Sequence, residues 1–331
     1  MSERERRRRR QLVFVQNLIG AAIVAWFARY LWQRREHLLS ILDVSVGHVA
    51  ALSVVIVLTW MLTAAQSGVL YRASGIRIGF VENMLLTVGS AFGSYLPMLA
   101  GTVVRFHYMK SIHGLRYARS GSISWLRTIL LCLSTALFGL FGTIGLLLAG
   151  SPVSPLLLAG FALLLSVPIV ALVWPEPRAW LDRTPRARIL RDFFDGLGAL
   201  RRDRSSSLSV FVLIVLQQLC LAVRFAIAAQ ATGQSPSLLL LCILAPLAVF
   251  VSFVSVTPAA LGLREAVMGY VTYATGTSFG NGLFVGTVDR AVLLAMVTLF
   301  GGSSLAYLWY KIRRADAARL DALGAPAADQ S

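Results

Sequence analysis

The sequence contains few charged residues and few cysteines for its length. Only 14% of its 331 residues are Asp, Glu, Lys or Arg, and 57% are hydrophobic, whereas a soluble domain carries about 25% charged residues. Because the mean hydropathy is +0.71, a single water-exposed domain cannot bury this much apolar surface, and a soluble enzyme is excluded. All three cysteines, Cys132, Cys220 and Cys242, lie within apolar stretches, which argues against a disulfide framework or a zinc site.

The sequence also lacks the short motifs of common catalytic sites. It has no Gly-Lys-Ser/Thr phosphate loop, no Gly-x-Ser-x-Gly nucleophile turn and no His-Glu-x-x-His zinc motif. The Asp-rich pairs of metal-dependent glycosyl or phosphoryl transferases are missing, and none of the four histidines has a partner at metal-ligand spacing. We therefore expect no catalysis, no bound metal and no cofactor.

Eight apolar segments make up most of the chain instead. A helix of about 20 apolar residues spans the roughly 30 Å of bilayer hydrocarbon, so the sequence predicts an all-α polytopic membrane protein. The first segment is followed by no cleavage site and is predicted to be a retained anchor. The segments are Leu12–Trp32, Val49–Leu70, Phe80–Val104, Trp125–Ala149, Leu156–Trp174, Leu208–Gln230, Leu238–Val256 and Leu283–Trp309.

The positive charge of the chain indicates its topology. Lys and Arg outnumber Asp and Glu by 31 to 15, but the arginines lie between apolar segments, as in basic cytoplasmic loops, so we expect no nucleic-acid partner. Residues 1–11, 105–127 and 175–207 are basic, whereas 150–155 and 231–237 carry no charge. If all eight segments crossed, both internal Arg-rich loops would lie outside. This conflict with the cytoplasmic preference of basic loops disappears if the third and seventh segments enter the membrane and return to the side they came from. The sequence therefore predicts an inner-membrane protein with six crossings, two re-entrant hairpins and cytoplasmic termini.

Both predicted hairpins turn at a Pro-x-x-x-Gly sequence. Pro97 and Gly101 mark the first turn, and Pro258 and Gly262 mark the second. Proline cannot donate its backbone hydrogen bond and glycine tolerates unusual dihedral angles, so both residues suit a broken segment.

The two hairpins belong to a predicted internal repeat. The number of residues between the two prolines is nearly the same as the number between Arg127 and Arg290, and the sequences around these two arginines are similar. We therefore expect two inverted repeats, residues 12–150 and 151–312, each with three crossings and one hairpin, and a disordered tail at 313–331. Inverted repeats with paired broken segments are typical of transporters, although a duplication without a transport role would give the same pattern.

Several charged residues lie next to the broken segments or within apolar ones. Charge at a helix centre costs about 2.5–3.5 kcal/mol per residue, and Arg binds phosphate oxygens bidentately, so guanidinium groups from both hairpins are expected to meet a phosphate. The alternatives are an internal ion-pair lattice, Arg264 with Asp289 or Glu265 with Arg290, and for Arg224 a snorkelling side chain. The candidate substrate-binding residues are Arg105, Arg224, Arg264, Glu265, Asp289 and Arg290.

Three other features have interfacial interpretations. Glu82 and Arg127 are expected near the membrane surface, where anchoring is favoured over a role in binding. The stretch 182–203 mixes Arg, Asp and Phe and predicts either an amphipathic helix on an anionic membrane or a solvated linker helix.

With these residues in view, the chain resembles the lysylphosphatidylglycerol synthase transmembrane-region family, also called flippase-like domain proteins, over about residues 10–312. The resemblance rests on Pro97-x-x-x-Gly101-x-x-x-Arg105, on Lys110-Ser-Ile-His-Gly114 and on Pro258-Ala-Ala-Leu-Gly262-Leu-Arg264-Glu265. It implies an integral membrane protein that moves or handles polar lipids. Since the soluble aminoacyl-transferase domain of the namesake synthases is not part of this sequence, lipid aminoacylation is not expected.

The sequence therefore predicts a flippase-like transporter of a polar lipid, anionic or aminoacylated, with a phosphate-containing headgroup. The alternative is a non-transporting membrane subunit that docks a glycosyltransferase or a lipid-modifying enzyme. The lipid, the direction and energy source of transport, and association with a second copy or with such an enzyme are left open by the sequence.

Overall fold

The computed structural model describes residues 44–95, 100–173, 188–254, 260 and 262–324. Within these ranges the chain forms helices joined by short turns, in agreement with the predicted all-α class. The helices are α1 Val46–Ala73, α2 Phe80–Gly93, α3 Ala100–His113, α4 Tyr117–Leu148, α5 Pro155–Val173, α6 Arg188–Arg202, α7 Arg204–Ala231, α8 Leu238–Val254, α9 Leu263–Ala274 and α10 Phe279–Gly324.

Four of these helices are long and apolar enough to cross a membrane. They are α1, α4, α7 and the part of α10 up to Ala315, and they coincide with the second, fourth, sixth and eighth apolar segments of the sequence. The fifth segment forms the shorter helix α5, which has 19 residues and an internal proline. The first segment, Leu12–Trp32, lies outside the described residues.

The third and seventh segments form broken pairs of shorter helices. In each pair the two helices, α2 with α3 and α8 with α9, pack against each other. Helix α2 has 14 residues, about 21 Å at 1.5 Å per residue, which is short of the bilayer core. The paired helices are what a re-entrant hairpin requires, while their placement in a membrane stays a prediction. Pro97 and Pro258 lie outside the described residues.

Two segments are more helical than the sequence predicts. Residues 105–127, predicted as a basic loop, belong to α3 and α4 apart from the turn at 114–116. Helix α10 continues to Gly324, through much of the tail for which disorder was expected. Charge counting locates cytoplasmic stretches but carries no information on helix boundaries, and Arg, Lys and Ala are good helix formers.

The Arg-rich linker contains the amphipathic helix α6, which packs against the protein. Leu197 and Leu200 are 5% and 2% exposed, and a Cβ at Gly196 would lie 2.5 Å from the Ser122 Oγ at the start of α4. Helix α6 thus packs against the start of α4, and its association with a membrane surface stays a prediction.

A side-chain cap joins α6 to α7. Asp203, which lies between them, accepts a hydrogen bond from the Ser206 N–H at 3.1 Å, as is typical of an N-cap. Hydrogen bonding from Ser206 lowers the pKa of the Asp203 carboxyl below its ordinary value.

The described residues form two compact units, each drawn from three stretches of chain. Unit 1 takes its residues from 1–58, 132–167 and 218–293, and unit 2 takes its residues from 59–131, 168–217 and 294–331. Unit 1 contains the broken pair α8–α9 and a core that includes Phe225, Ile243 and Met268. Unit 2 contains the broken pair α2–α3 and the linker helix α6.

Candidate functional site

Asp289 is the centre of a buried charged cluster in unit 1. Its side chain is fully buried near the start of α10. The Nε of Arg224, from α7, donates to the Asp289 Oδ1 at 2.9 Å, and the Nη2 of Arg264, from α9, donates to the Oδ2 at 2.9 Å. One carboxylate therefore binds two arginines from two other helices.

Glu265 and Arg290, the next residues along α9 and α10, form a second ion pair. The Arg290 Nε lies 3.3 Å from the Glu265 Oε1. The Glu265 Oε2 accepts the Gly262 N–H at 2.9 Å, which caps α9 at its first turn. Gly262 has φ +79°, a left-handed conformation that glycine adopts without steric cost. The second Pro-x-x-x-Gly sequence thus ends in a glycine whose backbone is fixed by the glutamate three residues later.

The two pairs agree with the internal lattice that the sequence allows as an alternative. Consecutive residues of α9 pair with consecutive residues of α10, which fixes the broken pair α8–α9 to that helix. Arg224 is 4% exposed and pairs with Asp289, so its side chain does not snorkel. The cluster contains three arginines and two acids and retains one net positive charge. Its five members, Arg224, Arg264, Glu265, Asp289 and Arg290, are each less than 9% exposed.

Arg105, the remaining candidate, lies in unit 2 on helix α3. Its Nε donates to the Tyr71 hydroxyl at 3.0 Å, its Nη2 donates to the Asn83 Oδ1 at 3.4 Å, and its guanidinium carbon lies 5.7 Å from the centre of the Tyr71 ring. Tyr71 and Asn83 are buried, whereas Arg105 is partly exposed. All these contacts are made within unit 2, and the convergence of guanidinium groups from both hairpins stays a prediction.

Arg127 lies on α4 in the same unit and binds another buried amide. Its Nε donates to the Gln66 Oε1 at 3.0 Å. The Gln66 Nε2 donates to the Gln217 Oε1 at 2.6 Å and to the Leu213 carbonyl at 3.2 Å. Since both amide protons are used in this way, the Gln66 carbonyl oxygen is left to accept from Arg127.

Glu82 collects three donors near the start of α2. Its Oε1 accepts from the Tyr108 hydroxyl, from the Lys311 Nζ at 3.1 Å and from the His113 Nε2 at 3.2 Å. The carboxylate therefore joins α2, α3 and α10 within unit 2. The anchoring of Glu82 at the membrane surface stays a prediction.

Several of these hydrogen-bond partners could not be recognised from the sequence. Gln66, Tyr71 and Asn83 are uncharged, and only their position inside or beside apolar segments distinguishes them. Lys311 stands 229 residues after Glu82, a separation that charge patterns cannot bridge. Of the adjacent amides Gln217 and Gln218 on α7, only the first forms a side-chain hydrogen bond within the described residues.

A cleft of about 630 Å³ opens between the turn after α3 and the linker helix α6 in unit 2. Arg116 and Asp192 form an ion pair there at 3.0 Å, with side chains 66% and 31% exposed. His113, Arg119 and Asp195 also line the cleft. Among the residues that the structure describes, no group of His, Cys, Asp and Glu side chains could hold a metal ion.

Comparison with known proteins identifies a family. The model of the family described as lysylphosphatidylglycerol synthase TM region matches residues 13–301. No curated protein and no solved structure matches the chain.

Proposed function

Because the chain belongs to the lysylphosphatidylglycerol synthase TM region family, we propose that it is a flippase-like transporter of a polar lipid. The lipid is anionic or aminoacylated and crosses the cytoplasmic membrane. In this proposal the headgroup moves along polar side chains of the protein while the acyl chains stay in the hydrocarbon.

The observation that carries this proposal is the combination of broken helices with buried charge. Each unit contains one broken helix pair, α8–α9 in unit 1 and α2–α3 in unit 2. Each pair bears an arginine, Arg264 or Arg105, that is bound to polar groups of neighbouring helices. Charged side chains in apolar surroundings are expensive and mark substrate pathways, and broken helices are typical of transporter binding sites.

In the charged cluster of unit 1, a lipid phosphate can replace a carboxylate as the partner of an arginine. Asp289 and Glu265 balance two of the three arginines when no lipid is bound. A phosphate that approaches Arg224 or Arg264 takes the place of a carboxylate oxygen and forms charge-assisted hydrogen bonds of similar geometry. Transport in this scheme uses an ion gradient or equilibrates the two leaflets.

Exchange of fluorescent phosphatidylglycerol between leaflets of proteoliposomes tests the proposal. We expect the intact protein to accelerate exchange and the double variant Glu265→Gln/Arg290→Gln, which removes one charge of each sign, to reduce the rate at least about tenfold. The matched control is Arg116→Gln/Asp192→Asn, which removes an exposed pair and should exchange like the intact protein. If the Arg264→Ala variant exchanges lipid as fast as the intact protein does, a role for this cluster is contradicted.

A docking role is the second candidate, and the cleft beside α6 is the observation that favours it. Its exposed Arg116 and partly exposed Asp192, with Arg119 and Asp195 nearby, offer both charge signs to a soluble partner. If the reconstituted protein exchanges no anionic, zwitterionic or aminoacylated lipid between leaflets, the proposed lipid transport is wrong and the docking role is favoured.

A further inference from the structure

Arg105, on helix α3 of unit 2, is held by two uncharged side chains. Its Nε donates to the Tyr71 hydroxyl at 3.0 Å, and its Nη2 donates to the Asn83 Oδ1 at 3.4 Å. No carboxylate of the described residues forms an ion pair with Arg105. These contacts therefore position the guanidinium group without compensating its charge.

The two supporting side chains are buried and fixed in orientation. Tyr71 and Asn83 are 3% and 1% exposed, whereas Arg105 is partly exposed. The Asn83 Nδ2 donates to the Ala64 carbonyl of α1, so the oxygen of the same amide is left to accept from Arg105. The guanidinium carbon also lies 5.7 Å from the centre of the Tyr71 ring. Helices α1 and α2 thus fix the position of a cation that a ligand can still reach.

The acid closest in sequence to these supports does not neutralise Arg105. Glu82 directly precedes Asn83 on α2, but successive residues of a helix are rotated by about 100° from each other. The Glu82 Oε1 accepts from Lys311 and from two side chains of α3 other than Arg105. Helix α2 therefore presents an amide, and not a carboxylate, to this arginine.

The arginine of the other broken helix pair has a charged partner. Arg264, on α9 of unit 1, binds the carboxylate of the fully buried Asp289 at 2.9 Å. Its guanidinium carbon lies 5.3 Å from the centre of the Phe225 ring, so an aromatic ring supports this arginine as well. The difference is the charge of the hydrogen-bond acceptors, which are carboxylate oxygens for Arg264 and neutral oxygens for Arg105.

Arg105 retains hydrogen-bond donors that the described part of the chain does not use. A guanidinium group has five N–H bonds, of which one on Nε and one on Nη2 donate to described side chains. The other N–H bonds are on the two Nη nitrogens, which together can bind two oxygens of a phosphate group. A phosphate can therefore bind Arg105 without displacing Tyr71 or Asn83.

We propose that Arg105 selects lipids whose headgroup carries a net negative charge, and that Tyr71 and Asn83 are positioning residues that hold it without compensating it. A cation without a counter-charge is costly in apolar surroundings, and an anionic headgroup supplies the missing charge. The ammonium group of a zwitterionic headgroup offsets this attraction in part, and an aminoacylated headgroup of net positive charge is repelled. The inference rests on the proposed function, because it narrows the transported polar lipids to the anionic class.

Exchange of fluorescent phosphatidylglycerol and of fluorescent phosphatidylcholine, measured separately in proteoliposomes, tests the selection. The readout is the ratio of the two exchange rates, which a smaller amount of folded protein does not change. We expect the intact protein to favour phosphatidylglycerol. Asn83→Asp places a carboxylate of nearly the same shape against Arg105 and should lower the ratio at least about tenfold. The matched control is Asn281→Asp, which adds the same charge near the start of α10 in unit 1 and should keep the ratio of the intact protein.

Two substitutions of Arg105 itself separate charge selection from a structural role, and they apply even if Asn83→Asp fails to fold. Arg105→Gln removes the charge and should lower the ratio as Asn83→Asp does. Arg105→Lys keeps the charge and should retain the preference for phosphatidylglycerol. If Arg105 only stabilised the fold, both substitutions would lower the melting temperature and leave the ratio unchanged.

The outcomes distinguish this selection from the proposed function. An intact protein without a preference, or a ratio that Asn83→Asp and Arg105→Gln leave unchanged, overturns the selection while lipid transport stands. If the protein exchanges neither lipid, transport is contradicted, and native mass spectrometry in detergent with the same two lipids decides on the selection. Preferential binding of phosphatidylglycerol that Arg105→Gln abolishes then supports it, and equal binding of both lipids overturns it.

Discussion

Arg264 and Asp289 form an ion pair at 2.9 Å in which the arginine side chain is 5% exposed and the aspartate side chain is fully buried. The pair joins the broken helix pair α8–α9 to α10 inside unit 1. Arg224 binds the other oxygen of the same carboxylate, so a single aspartate compensates two arginines from different helices.

Removing the Asp289 charge should therefore destabilise the protein strongly. We expect Asp289→Asn to reduce the free energy of unfolding by about 3–5 kcal/mol, because it leaves two buried arginines without a counter-charge. The melting temperature in detergent measures the effect. Asp192→Asn, which removes the partly exposed partner of the exposed Arg116, should cost less than about 1 kcal/mol.

A second substitution checks the cause. Adding Arg264→Gln to Asp289→Asn removes one of the two unpaired charges, so the melting temperature should recover in part. A double variant less stable than Asp289→Asn alone would contradict the charge argument and indicate that packing of Arg264 on Phe225 dominates.

The ion pairs of unit 1 could be predicted from the sequence as an alternative, whereas the contacts of Arg105 could not. Two charged residues, Arg264 and Glu265, lie beside a broken segment, and two more, Asp289 and Arg290, lie near the start of the next segment. Their pairing could therefore be stated as an alternative. The neutral partners of Arg105 carry no charge to mark them. Their selection depends on how helices pack, and hydropathy does not contain that information.

The broken segments themselves were predicted from proline and glycine positions together with charged loops. The structure has shorter helices, α2 and α8, at both places, and both are followed by a second helix. The helical character of 105–113 was missed because basic residues were treated as a loop. The snorkelling alternative for Arg224 does not hold, because its side chain pairs with Asp289, on a helix that is distant in sequence.

Gly262 should not tolerate a side chain. Its φ of +79° disfavours L-residues with a Cβ by about 1–2 kcal/mol, and its N–H caps α9 by binding Glu265. We expect Gly262→Ala to lower the melting temperature. Gly302→Ala is the matched control, since the added Cβ meets no atom within 4 Å and alanine favours the helix interior by about 0.5–1 kcal/mol. Equal effects of both substitutions would contradict the conformational argument.

Gln217 and Gln218 should respond in opposite directions to the same substitution. The Gln218 side chain is 1% exposed, and neither of its amide atoms has a hydrogen-bond partner among the described residues. Burial of such an amide costs about 1–3 kcal/mol, so Gln218→Leu should raise the melting temperature. Gln217→Leu removes the acceptor of the Gln66 amide and should lower it. A lower melting temperature for Gln218→Leu would show that its amide is hydrogen-bonded in the membrane protein.

Single cysteines on the helix-connecting turns test the predicted topology. In a background with Cys132, Cys220 and Cys242 replaced by alanine, a membrane-impermeant maleimide is applied to intact cells. The uncharged turn at 231–237 is predicted outside and the basic stretches inside. We expect Ser235→Cys to react in intact cells, and Arg116→Cys and Arg202→Cys to react only after permeabilisation.

These three positions are suited to the test because Arg116, Arg202 and Ser235 are all exposed in the structure. A failure to react is therefore due to the membrane and not to burial within the protein. Arg116 follows the first broken pair and Ser235 precedes the second. If α2–α3 crossed the membrane as a full span, the turn that contains Arg116 would lie on the outer side. Labelling of Arg116→Cys in intact cells would thus contradict the first re-entrant hairpin, and protection of Ser235→Cys would contradict the orientation of α7 and α8.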